Sequence, residues 1–359
     1  MKIGVFCHRD DTTALEVARV LDRLEPGCCT TFPLDAIPRQ ALTLTDSTLR
    51  WNDVELTSMD TAWIGVYPYR DPVVPVAPGP TDWSRWQFDH LLEQQRYSAI
   101  ESLFAELERR GVQMLNGRRF ALAQFSKPEW LLRLGRADCA IPRLLCSNDV
   151  GDVDAFCDRF QNILWRPATG RAAWQRFTVK QKRHLVGSDK PAILLAEAVS
   201  DAFFLAWCLD GETLLCVGIE PPGTHPVESL GNPDDYGELL RFETLEMLTV
   251  VETSQVSPAL SRLYEVCDRA GWMAATLMRR DDGEFVVYDL DTDPDLGWLP
   301  TPLRDWLLAC LANRLLGRNR DSGTMPESGL RLQRPALFLR RMLQIQYEME
   351  DSKYPAGDE

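Results

Sequence analysis

Residues 283–287, Gly283-Glu284-Phe285-Val286-Val287, read as an alternating β-rich strand that opens on the turn signal Asp281-Asp282-Gly283. The strand runs straight into Tyr288-Asp289-Leu290-Asp291-Thr292-Asp293-Pro294-Asp295. Strand alternation predicts Asp289, Asp291 and Asp293 on one face. Three like charges at one strand end repel each other unless something cationic lies between them. Any fold built around this segment has to meet that demand. Hard carboxylate oxygens in this pattern suit Mg²⁺, which commonly binds through one or two carboxylates plus substrate phosphates. The plainer reading is a polar turn after an edge strand, and the segment alone leaves both open.

The chain around it has 359 residues, 45% hydrophobic and 26% charged, which suits a well-packed soluble protein of two or three domains. A formal net charge of -14 disfavours non-specific binding to nucleic acid or to anionic membranes. It leaves room for a nucleotide held by local cations and a metal. The ten cysteines form no C-x-x-C pair, and the vicinal Cys28-Cys29 has no ligand set around it, so they read as reduced thiols of a cytoplasmic protein. Met1–Cys7 reads as a short strand and not as a signal peptide, and no apolar run is long enough to span a membrane. None of the four histidines has a second ligand at metal spacing.

Along the chain, residues 2–7 read as a buried strand, and Thr12 or Thr13 as the cap of a helix running to Leu24. Residues 30–32 and 62–66 are further strands, and this strand–helix–strand order implies an α/β layer. The proline-rich residues 71–80 read as an extended loop, followed by a helix over 82–110 ended by Gly111. Strands are expected at 112–116 and 192–198, and a hairpin over 203–217 that turns at Asp210-Gly211. Helices are expected at 127–134, at 259–270 and at 302–316. Lys180-Gln181-Lys182-Arg183-His184 reads as the solvated turn of a hairpin. After a polar linker at 318–329, residues 330–349 read as an amphipathic helix suited to a protein partner or a second copy of the chain.

Three further segments carry candidate chemistry. In Ile163-Leu164-Trp165-Arg166-Pro167-Ala168-Thr169-Gly170-Arg171 a strand delivers a cation at its end, and a short loop with one glycine follows. Such a cation beside free backbone N–H groups can hold a polyphosphate. An ordinary hairpin turn with a surface arginine is the plainer alternative. Lys127 opens a helix that Ser126 can cap, where the helix dipole disfavours a cation unless it faces a bound anion. Glu197-Ala198-Val199 ends a strand and exposes backbone donors and acceptors that can read an adenine edge.

Individually weak, these pieces gain weight from their order. Leu115-Asn116, Lys127 with its helix, Ile141-Pro142 through Ser147-Asn148-Asp149, Ile163–Gly170, Glu197–Val199, Gly271–Leu277, Asp281-Asp282-Gly283 and Tyr288–Asp291 follow one another in the chain. This succession resembles the ATP-grasp superfamily in its RimK-like and microviridin-ligase-like branch. The resemblance implies an α/β chain with α+β lobes, in which an N-terminal Rossmann-like pre-ATP-grasp domain over 1–114 precedes a small phosphate-loop lobe over 115–195. A metal-binding lobe over 196–317 and the terminal segment 318–359 complete it. The resemblance implies ATP and Mg²⁺ as cofactors. Lys127, Arg166, Thr169 and Gly170 would hold phosphates, Glu197 and Val199 the base, and Asp289 and Asp291 the metal. Arg171 and Arg241 would act in catalysis.

The implied activity is an ATP-dependent carboxylate–amine ligase, forming an amide through an acylphosphate on an amino-acid or peptide substrate. The sequence departs from the pattern at several points. Thr276 stands where a further acidic metal ligand belongs, and Phe203 where an arginine follows the hinge. The phosphate loop holds Trp174 and few glycines. Each lost contact would cost about 2–4 kcal/mol of transition-state stabilisation. These departures motivate a second expectation, a degenerate ATP-grasp protein acting as a nucleotide-binding or scaffold subunit.

Overall fold

The structure is a computed structural model describing residues 1–9, 11–34, 40–65, 83–117, 126–168, 174–200, 202–220, 247–267, 271–297, 299–318 and 325–333. The chain divides into two units, one formed by Met1–Leu122 with Ala270–Trp272 and Trp306–Gly323, the other by the remainder.

In the first unit, β1 (Ile3–Cys7) is buried along its whole length, as expected of a parallel strand covered on both faces. It pairs in parallel with β2 (Cys29–Pro33) and β6 (Thr61–Ile64), and β6 pairs in parallel with β7 (Gln113–Leu115). The sheet order is β2-β1-β6-β7. Helix α1 (Thr12–Leu24) buries Ala14, Val17 and Leu21. Its cap is Asp11, whose carboxylate accepts from the Ala14 amide at 2.9 Å, and not Thr12 or Thr13. The carboxylate of Asp11 reaches a free first-turn N–H, whereas Thr13 is buried in the helix itself. Helix α2 (Trp83–Arg109) buries Ile100, Leu103, Phe104 and Leu107. Beyond its end Gly111, at φ 83°, turns the chain so that the Val112 amide donates to the Leu107 carbonyl at 3.1 Å.

A small antiparallel sheet not anticipated from the sequence, β3 (Leu42–Leu44), β4 (Leu49–Trp51) and β5 (Val54–Glu55), delivers Trp51 to the aromatic core. Trp51 lies 5.6 Å from Phe32, which stacks on Phe6 at 4.8 Å. After β7, Asn116 is buried and replaces a strand partner. Its side-chain amide donates to the Trp272 carbonyl and accepts from the Trp272 amide, both at 2.6 Å.

The second unit holds two sheets. The first is antiparallel in order β10-β9-β11-β8, from β8 (Leu144–Ser147), β9 (Ile163–Pro167), β10 (Gln175–Arg176) and β11 (Ile193–Glu197). Val153 of helix α4 (Val150–Arg159) packs with Ile163, Val186, Ile193 and Leu195 beneath it. Residues 180–184, expected as a hairpin turn, lie inside helix α5 (Val179–Leu185). A capping box decides this: the Thr178 hydroxyl accepts from the Gln181 amide and the Gln181 side chain accepts from the Thr178 amide.

The larger sheet runs β16-β15-β12-β13-β14-β17. Strands β12 (Phe203–Leu209) and β13 (Glu212–Glu220) turn at Asp210-Gly211, both at positive φ, as a two-residue hairpin requires. β14 (Met247–Val251) pairs with β13 and with β17 (Arg331–Gln333). Residues 331–333 are therefore strand and not the start of a helix, because the edge of β14 captures them; residues 334–349 lie outside the described residues, as do 71–80. β15 (Trp272–Arg279) and β16 (Phe285–Asp291) form the other end of the sheet.

Helix α6 (Thr253–Val266) begins six residues before the expected start at 259. Its Pro258 lies inside the helix, and buried Val256, Leu260 and Leu263 hold the helix in place. Helix α3 (Lys127–Arg136) packs on β16 and on α6. Helix α7 (Thr301–Leu315) buries Leu303, Leu307, Leu308, Leu311 and Leu315. None of the described helices is long and apolar enough to cross a membrane.

Candidate functional site

The acidic strand end organises a group of charges within the second unit. Across the β15–β16 pair the register slips by one residue: Leu277 faces Val287, whereas Thr276 faces Asp289. Tyr288 is the extra residue of this bulge, and bulges re-aim side chains. Asp291 ends the strand, and Asp293 lies beyond it, its amide donating to the Asp291 carboxylate at 3.0 Å. The three aspartates therefore do not line one continuous strand face, because the chain leaves the extended conformation in an Asx turn after Asp291.

Asp289 meets the two cations singled out from the sequence. Lys127, at the first position of α3, donates from Nζ to Asp289 Oδ1 at 2.6 Å. It also donates to the Leu290 carbonyl. Arg166, on the penultimate position of β9, donates from Nη1 to Asp289 Oδ2. The Leu290 amide adds a bond to Oδ1 at 2.7 Å. The side chains of Lys127, Arg166 and Asp289 are 3%, 1% and 16% exposed. Burial depresses the Lys127 ammonium below its ordinary pKa, against the pull of Asp289. Burial alone would raise the Asp289 carboxyl, but Lys127 and Arg166 outweigh it and hold it below the ordinary carboxylate value. The charge of Asp291 adds a weaker pull on Lys127.

Trp174 closes this group on one side. It is buried, its indole N–H donates to the Tyr288 carbonyl at 3.2 Å, and its ring lies 5.7 Å from the Arg166 guanidinium. Trp174 meets the Tyr288 ring edge-on at 6.0 Å. Thr276 is half-buried opposite Asp289, and Phe203 is buried in β12.

The end of β11 at Glu197–Val199, which the resemblance makes the base-binding hinge, is closed in a similar way. The Tyr288 hydroxyl donates to the Glu197 carbonyl at 2.6 Å and accepts from the Val199 amide at 3.1 Å. Glu197 is tied further to Arg143, whose amide donates to Glu197 Oε1 at 3.3 Å. Tyr288 is fully buried, and burial pushes its phenol above the ordinary value. An open cavity of about 380 Å³ beside the hinge is lined by Glu197, Ala198, Val199, Arg280, Asp281 and Asp282.

Thr169, Gly170, Arg171 and Arg241 lie outside the described residues. Tyr288 carried no role in the sequence reading. Its signal was a tyrosine set between aliphatic strand residues and an aspartate, at the one position the bulge turns aside.

No protein-family model matches this sequence, and no curated protein matches it. Solved structures do. The ATP-grasp ligase PsnB complexed with minimal precursor, Mg and ADP aligns with a TM-score of 0.68 at 16% identity, over 88% of this chain and 96% of that one. Macrocyclase MdnC bound with precursor peptide MdnA, from Microcystis aeruginosa MRC, aligns with a TM-score of 0.68 at 13% identity, over 88% and 99%. The fold is the ATP-grasp fold. D-alanine–D-alanine ligase from Bacillus anthracis, complexed with ATP, shares it at a TM-score of 0.53 and 11% identity, over 97% and 99%.

An ATP-grasp fold raises the question of Mg²⁺ and a nucleotide, and the donor set can be tested for both. Both oxygens of Asp289 accept from buried cations, Lys127 and Arg166. The hinge carbonyl and amide are satisfied by Tyr288. Asp289, Glu197 and Val199 would have to exchange these partners before they could hold Mg²⁺ or a base.

Proposed function

We propose that this chain is a degenerate ATP-grasp protein of the RimK-like and microviridin-ligase-like pattern, a peptide-binding scaffold subunit without ligase turnover. The observation that carries the reading is the buried triad of Lys127, Asp289 and Arg166. A phosphate-and-metal site needs cations free to face an anion and carboxylates free to face a metal. Here both cations already face one carboxylate out of water, and the charge of Asp291 acts on Lys127 as well. Thr276, in place of a carboxylate beside Asp289, supports the same reading. The peptide partner is inferred from the neighbours, since PsnB and MdnC are described in complex with precursor peptides. The proposal places the protein in the cytoplasm, with lobe boundaries near residues 115, 196 and 318, and with the terminal segment as a contact to a partner or a second copy.

A second reading is favoured by the convergence of Lys127, Arg166 and Asp289 at one place. It is an ATP-dependent carboxylate–amine ligase acting through an acylphosphate on a peptide or amino acid. Lys127, Arg166, Thr169 and Gly170 would hold the phosphates, Glu197 and Val199 the base, and Asp289 and Asp291 Mg²⁺. Arg171 and Arg241 would serve the reaction.

Calorimetry with ATP and Mg²⁺, paired with ADP release across a panel of amino acids and peptides, separates the two. The degenerate reading expects no ADP above background. ADP release that depends on Mg²⁺ and on one added peptide, and is lost in Asp291→Ala, overturns it in favour of the ligase.

A further inference from the structure

We propose that the Tyr288 hydroxyl is a built-in occupant of the hinge, taking up the hydrogen bonds a purine edge would make, so that this hinge admits no adenine while Tyr288 is present. The inference rests on the degenerate reading and deepens it.

The Glu197 carbonyl is an acceptor and the Val199 amide a donor, two residues apart at a strand end. A base that pairs with them must donate to one and accept from the other. Adenine offers that complement through its exocyclic amine and a ring nitrogen. The phenol hydroxyl offers it too, and holds both positions at 2.6 and 3.1 Å. A base would therefore have to displace the tyrosine before pairing.

Displacement is opposed from three directions. Tyr288 is fully buried. Its ring meets the buried Trp174 edge-on at 6.0 Å, and its carbonyl accepts from the Trp174 indole at 3.2 Å. Its chain neighbour Asp289 is bonded to Lys127 and Arg166, so swinging residue 288 outward disturbs the triad as well. The bulge at Tyr288 is what aims the ring at the hinge: an uninterrupted strand would alternate it with Asp289 across the sheet. Hinge plug and charge triad are thus consecutive residues of one packed block.

Adenosine is the probe, because it has the base and lacks the phosphates. It is titrated calorimetrically into the full chain, into Tyr288→Ala and into Tyr288→Phe, with purine riboside, which lacks the exocyclic amine, as the control. The unaltered protein is expected to bind neither nucleoside at millimolar concentration. Tyr288→Ala vacates the space and is expected to bind adenosine about tenfold more tightly than purine riboside, roughly the worth of one well-made hydrogen bond.

Tyr288→Phe keeps the ring and removes the hydroxyl. Deuterium exchange at the Val199 amide is expected to quicken by about fivefold or more in it. Adenosine binding by the unaltered protein overturns the proposal, as does a folded Tyr288→Ala that ignores adenosine. Where Tyr288→Ala does not fold, unchanged exchange at Val199 in Tyr288→Phe overturns it. Tripolyphosphate with Mg²⁺ probes the triad separately. If the unaltered protein binds tripolyphosphate but not adenosine, the degenerate reading falls and the plugged hinge stands.

Discussion

Asp289 carries two meanings at the scale of one residue, and a substitution series separates them. Asp289→Asn leaves two buried cations facing a neutral amide, and removing one partner of a buried pair costs about 3–5 kcal/mol. The expected loss is read as a fall in the urea midpoint with an unchanged slope. A triple change of Lys127→Met, Arg166→Met and Asp289→Leu removes all three charges together. It is expected to be neutral or stabilising by about 1–4 kcal/mol, as replacement of buried ion pairs by apolar side chains often is. A triple variant that fails to fold would show that the triad specifies the fold.

The same carboxylate sets a pH dependence. Its folded pKa is lowered, because Lys127 and Arg166 outweigh burial. The folded state therefore holds its proton less tightly than the unfolded chain does. The stability it contributes is complete above the ordinary carboxylate value near 3.8 and is lost as pH falls below it towards the depressed value. Acid denaturation curves of the unaltered protein should be steeper in that window than those of the triple variant, and equal slopes would remove Asp289 from the acid transition.

At the scale of elements, local chemistry decides where helices start and close packing decides what glycines do. Asp11→Ala removes the side-chain cap of α1 and is expected to cost about 0.5–2 kcal/mol, with Asp11→Ser recovering most of it, both by thermal melts. Gly271 approaches Leu115 so closely that a Cβ there would fall 2.1 Å from a Leu115 methyl. Gly271→Ala should therefore destabilise by about 1–3 kcal/mol. Adding Leu115→Ala should recover part of that cost, and a strictly additive double mutant would place the strain elsewhere.

Most element types were legible because they rest on local signals. The hairpin at Asp210-Gly211, the stop at Gly111 and the buried run of β1 all sit where the sequence puts them. The misses have separate causes. α5 was hidden because its polar, basic sequence lacks an apolar stripe, and its capping box spans only Thr178 and Gln181. α6 starts early because core contacts of Val256 and Leu260 override the proline between them. Residues 331–333 became strand because a sheet edge was waiting for them.

For the molecule as a whole, ligand linkage offers a test that needs no substrate. A nucleotide that binds only the folded state, present at a hundred times its dissociation constant, would add about 2.7 kcal/mol of stability. ATP with Mg²⁺ is expected to leave the melting temperature unchanged, and a rise of several degrees that requires Mg²⁺ would restore a working nucleotide site. With a formal charge of -14, duplex DNA should likewise leave the melting temperature unchanged at physiological salt.

Strand and helix periodicity were enough to expect an α/β chain, because those signals act over a few residues and survive without a neighbour, and the resemblance of the ordered segments to the ATP-grasp superfamily implied the rest. They also singled out Lys127, Arg166 and Asp289, which the fold draws together across 162 and 123 residues of chain. Whether those charges face a ligand or one another depends on solvent exclusion, on the bulge at Tyr288 and on the seat of Trp174. Desolvation and hydrogen-bond saturation are properties of the packed interior, so only the three-dimensional arrangement could decide that the tyrosine hydroxyl fills the hinge and the carboxylate is already spent.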